Sequence, residues 1–127
     1  MTTRAPIDAR RVMDIHDLIL RDEPGLHGDH GMGPLEGALA RVESRMAYEG
    51  LDDVFEIAAM YAVALARGHV FNDANKRTAL VTALMYLGLQ GYDVPRSDVL
   101  EDIMVAVAEG VVDQAELADL LFAIAIE

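Results

Sequence analysis

The sequence predicts an all-α protein, a single-domain bundle of about six helices spanning residues 1–127. Three observations carry this reading. Apolar residues recur at helical spacing throughout, capping residues and glycines divide the chain into helix-length segments, and no alternating strand pattern persists beyond a few residues. A chain of 127 residues with 53% hydrophobic and 25% charged residues fills one core and is not disordered.

The elements follow in order. Asp8 caps a first helix running to about Leu20. Leu35, Leu39, Val42 and Met46 recur at i, i+4, i+7 and i+11 and line one face of a second. Residues 52–67 are rich in alanine with Val54, Ile57, Met60, Tyr61, Val63 and Leu65. They are apolar nearly all round, with Asp52 expected as N-cap and Gly68 as terminator. Residues 74–90 behave likewise, and Gly91 follows them. Helices without a polar face are buried ones, so these two form the expected central pair. Val94-Pro95 is an extended connection, Ser97 caps the fifth helix, and Gly110 ends it. Asp113 with Glu116 makes a capping box for the sixth. The apolar segment 117–126 is expected in the core, with a partner helix as the other occupant of that face.

Composition excludes several functions. With no cysteine, there is no disulfide, thiolate metal site or cysteine nucleophile. Ten basic residues against 22 acidic give a net charge of −12, which repels a polyanion, so direct nucleic-acid binding is not expected. The N-terminal stretch lacks the apolar run of a signal peptide. The uncharged run 79–90 is shorter than the ~18 residues of a membrane span. A cytoplasmic protein with no membrane partner is therefore expected.

Residues 24–34 hold four of the ten glycines and too little apolar surface to pack, so they read as a mobile loop, either a connector or a lid. Its His27-x-x-His30 lacks both a helix to fix the spacing and further ligands, and is not read as a metal site. Arg41 and Arg45, interleaved with Glu43 and Glu49, read as a solvated face.

The densest polar cluster lies between the two central helices: Arg67-Gly68-His69-Val70-Phe71-Asn72-Asp73-Ala74-Asn75-Lys76-Arg77-Thr78. Lys76 is the only lysine in the chain. If the fourth helix starts between Asp73 and Asn75, Lys76 and Arg77 stand in its first turn. Cations there oppose the helix dipole, at a cost of about 0.3–1 kcal/mol each. The free backbone N–H groups at that end already favour an anion. The combination is poor for stability and well suited to a phosphate. Taken singly, each residue also has a structural reading: Asp73 as a cap, Phe71 as core, Asn75 as a turn residue, Arg67 as a dipole partner and His69 as a structural histidine. Together they bring a base, a carboxylate and phosphate-type cations to one tight loop.

The run from His69 to Arg77 resembles the signature loop of the Fic/Doc superfamily, H-x-F-x-[DE]-G-N-G-R in its Fic form. It is most similar to the death-on-curing toxin branch, where A-N-K-R replaces the glycine-containing end. Arg67-Gly68, Thr78-Ala79-Leu80 and the upstream Leu35-Glu36-Gly37-Ala38-Leu39-Ala40-Arg41 extend the likeness across the chain. The resemblance implies a Fic-fold toxin of a toxin–antitoxin system. It would be a protein kinase that moves the γ-phosphate of ATP to a threonine of translation elongation factor Tu and so arrests translation. A cognate antitoxin would be its other partner. It also implies His69 as the base, Asp73 as the Mg²⁺ ligand, and Asn75, Lys76 and Arg77 as the grip on the triphosphate, to which Arg67 adds a neighbouring cation.

Two departures from the Fic pattern bear on the reaction. Ala74 and Lys76 replace glycines, and Leu80 stands where the second Fic arginine would be. The grip needed for AMP transfer is thus incomplete, and a nucleotide presenting its terminal phosphate is the consistent alternative. The competing readings are a protein adenylyltransferase and a catalytically inactive interaction module. Retention of all five residues, His69, Asp73, Asn75, Lys76 and Arg77, speaks against the inactive module.

Overall fold

The computed structural model describes the backbone of residues 9–22, 32–50, 52–67 and 75–125. Six helices account for most of them: α1 (Ala9–Asp22), α2 (Met32–Glu49), α3 (Val54–Arg67), α4 (Asn75–Leu89), α5 (Asp98–Ala108) and α6 (Gln114–Ala125). No strand occurs among the described residues. The fold is all-α, as the apolar periodicity predicts.

The central pair is α3 and α4, which share the most extensive interface in the molecule. On α3, Ile57, Ala58, Ala59, Tyr61 and Leu65 are sealed from solvent. Ala79, Leu80, Ala83, Tyr86 and Leu87 do the same on α4. Small alanines let the backbones approach while Tyr61 and Tyr86 meet across the interface, ring centroids 5.6 Å apart. The remaining helices wrap this pair: α2 and α6 lie on α3, α1 lies on α4, and α5 touches both. Leu35, Leu39 and Val42 of α2 are buried, the face their spacing predicts. Leu117, Ala118 and Leu121 of α6 pack inward, so the C-terminal apolar segment contributes to the core.

Local chemistry fixes the boundaries. Ser97 is the N-cap of α5 and its hydroxyl accepts from Leu100 N–H at 3.2 Å. Asp113 and Glu116 form the reciprocal capping box: Glu116 N–H donates to Asp113 Oδ1 at 2.8 Å, and Asp113 N–H to Glu116 Oε1 at 3.0 Å. α4 and α5 both end in Schellman motifs. Tyr92 N–H donates to Leu87 O at 2.8 Å and Val111 N–H to Ala106 O at 2.9 Å. Gly91 (φ 97) and Gly110 (φ 82) supply the left-handed residue that these turns require.

Two boundaries differ from expectation. The cap of α3 is Asp53 rather than Asp52. Asp53 Oδ1 accepts from Phe55 N–H at 2.8 Å and Glu56 N–H at 3.2 Å, the two donors within reach of the residue just before Val54. The start of α2 also moves: Met32, Gly33 and Pro34, assigned to the glycine-rich loop 24–34, belong to its first turn. Proline is tolerated there because its missing N–H would have no helical partner. The rest of that loop, with His27 and His30, lies outside the described residues, as do the proposed cap Asp8 and the terminator Gly68. Among the described residues, no helix is long and apolar enough to cross a membrane.

Candidate functional site

The end of α3 and the beginning of α4 frame the candidate site. Of the residues expected in it, His69 and Asp73 fall in the connection 68–74, outside the described residues. Asn75 opens α4. Lys76 follows and is exposed, and Arg77 is half-buried. Both cations stand in the first turn of α4, which contains no acidic residue. The helix begins where the sequence puts it, with its positive charge stacked on the positive end of the dipole. In α3, α5 and α6, by contrast, the first turn holds Glu56, Asp98 with Glu101, and Glu116. α1 also opens on arginines, Arg10 and Arg11. What sets α4 apart is its place, at the head of a buried helix beside the end of another.

Arg67 closes α3 and is anchored. Its Nε donates to the Val107 carbonyl at 3.0 Å, across 40 residues of sequence. The same carbonyl accepts from Gly110 N–H at 3.1 Å, so both of its lone pairs are in use at the C-terminus of α5. A guanidinium at that negative helix end is favoured by the dipole. Arg67 thereby ties the upstream boundary of the connection to a third helix. Arg67 is otherwise exposed.

Behind the basic turn, α4 carries buried polar groups that nothing in the sequence pattern distinguishes from core. Thr78 and Thr82 are fully buried, one turn apart on one face. Neither hydroxyl finds a hydrogen-bond partner among the described residues. His16 on α1, the helix that packs on α4, is also buried, with Nδ1 3.6 Å from Asp17 Oδ1. Their polar character is visible in the sequence. Their burial follows only from tertiary packing.

A basic, acid-free helix start beside an anchored arginine is an anion site in its electrostatics: N–H donors, two side-chain cations and a dipole of one sign. Such a site suits phosphate oxygens. Leu80, three residues beyond Arg77, is 1% exposed and belongs to the core, so no side chain at that position reaches the site.

Comparison with known proteins identifies the family. Residues 6–87 match the Fic/DOC family. The chain is also 43% identical over 115 residues, 91% of each sequence, to the protein kinase doc of Escherichia phage P1. Since the family match spans more than half of the chain and the likeness to the phage protein spans nearly all of it, the chain belongs to the Fic/DOC family.

Proposed function

We propose that this chain is a Doc-type toxin that works as a protein kinase, transferring the γ-phosphate of ATP to a threonine of translation elongation factor Tu. The observation that carries the reading is the first turn of α4, where Lys76 and Arg77 oppose the dipole and the turn itself holds no acidic residue. The phage relative's description as a protein kinase, at 43% identity, supports the same chemistry.

In this reading His69 accepts the proton of the acceptor hydroxyl. The hydroxyl oxygen forms the new bond to phosphorus, the bridging bond to the β-phosphate breaks, and ADP leaves with that oxygen. A positioned base of this kind contributes about 10²–10⁴-fold in rate. Asn75, Lys76 and Arg77 hold the triphosphate, joined by the exposed Arg67, whose Nε stays on Val107. Asp73 holds Mg²⁺, which when bound neutralises phosphate charge. Phosphoryl transfer needs little more than positioning and such cations. The buried Leu80 supports kinase over adenylyltransferase chemistry, since it removes one cation from the grip.

A cytoplasmic toxin of this kind is restrained by a cognate antitoxin. The test is to incubate elongation factor Tu with the protein and Mg·ATP labelled at either the α- or the γ-position. Label from the γ-position on the factor, with a phosphoryl adduct by mass, is the expected result. Label from the α-position alone overturns the kinase reading. Growth arrest by a His69→Ala variant as strong as that by the parent overturns catalysis altogether.

A further inference from the structure

At the far end of α3, an open cleft of about 240 Å³ lies between the start of that helix and α6. Its floor and walls are Phe55, Ala115, Ala118 and Phe122, and its rim is Asp53, Glu56 and Asp119. Phe122 is 49% exposed although it packs edge-on against Phe55, with centroids 5.2 Å apart. Among the described residues, none of the three carboxylates is paired with a cation. Arg45 approaches this end of α6, but it is bonded to Glu49 and Gln114.

We propose that this cleft is a docking site for a segment of a partner protein that presents an arginine beside aliphatic residues. Charge decides the occupant. Glu56 and Asp119, with no cation partner among the described residues, and the capping carboxylate of Asp53 surround an aromatic surface and match a cation with an apolar stem. A guanidinium satisfies both parts, pairing with carboxylates through its planar fork while stacking on a ring. A bare metal ion does not fit: no group of three or more acidic or histidine side chains among the described residues converges well enough to hold one. Nucleic acid is repelled by the rim. A second copy of this chain, at net charge −12, is a poor match for an acidic cleft.

The fourteen residues of α3 separate this cleft from the basic turn of α4 by about 20 Å of helix. Docking here leaves the α3–α4 connection open. The proposal stands independently of the phosphoryl-transfer reading.

The test is an amide-shift titration of the isotope-labelled full chain. The probe is a short glycine–serine peptide with a Leu-Arg-Leu centre, compared with its citrulline counterpart, which keeps the shape and removes the charge. The arginine peptide should shift the amides of Asp53, Phe55, Glu56, Ala118 and Phe122 and bind about tenfold more tightly than the citrulline peptide. Glu56→Gln with Asp119→Asn should erase that difference, and Phe122→Ala, at a half-exposed position, should weaken both peptides, with the amide spectrum of the free variant confirming that it is folded. Equal binding of the two peptides, shifts mapping to another face, or a concentration-dependent dimer seated on the cleft would each overturn the proposal.

Discussion

The helix starts of this protein follow two opposite rules. At α3, α5 and α6, an oxygen of Asp53, Ser97 or Asp113 caps the first N–H groups, and a glutamate or aspartate follows in the first turn. Cap and charge both work with the dipole there, and those ends are optimised for stability. At α4 the signs are reversed, with Lys76 and Arg77 where an acid belongs. The same chain applies the favourable rule three times and sets it aside at α1, which opens on Arg10 and Arg11, and at α4, the head of a buried helix. That contrast makes the α4 start less favourable for stability than the starts of α3, α5 and α6, the cost expected of a site kept for an anion.

The sharpest way to break the contrast is at the connection itself. His69→Ala should lower phosphoryl transfer about 10²–10⁴-fold, measured as single-turnover rates with saturating Mg·ATP. A loss under tenfold would mean that the basic turn serves no base-driven chemistry. Next in size is Gly110→Ala at the end of α5. A left-handed φ of 82 disfavours any Cβ, and the new methyl would sit 3.5 Å from Arg67 Nη2. The expected cost is about 1–2 kcal/mol in urea unfolding. Asp53→Ala at an optimised start should cost about 1 kcal/mol by the same measurement. The smallest effect has the opposite sign. Lys76→Gln should stabilise the nucleotide-free protein by about 0.3–1 kcal/mol while weakening ATP binding. A Lys76→Gln protein less stable than the parent would remove the distinction between the two kinds of helix start.

Much of this was legible in the sequence because it is local. Ser97, and Asp113 with Glu116, act on N–H groups within three residues, so the residues that cap are also the residues that announce the cap. The faces of α2 and α3 follow from periodicity alone. The misplaced cap of α3 came from an Asp52-Asp53 doublet, in which two identical side chains compete and only the backbone geometry selects the second. The start of α2 was hidden because Gly33 and Pro34 carry the signature of a loop while also fitting a first turn. Long-range features left no trace. The Arg67–Val107 bond spans 40 residues, and the burial of His16, Thr78 and Thr82 depends on how α1, α3 and α4 pack together. The basic turn was readable from composition, since the only lysine of an acidic chain sits there.

The Arg67–Val107 bond makes the end of α5 a mooring post for a segment far upstream. A distortion of the α5 terminus that moves the Val107 carbonyl would leave the basic turn of α4 unchanged in sequence and yet loosen the end of α3. Changes around Val107 and Gly110 would then be felt forty residues upstream, at the end of α3, with no substitution there.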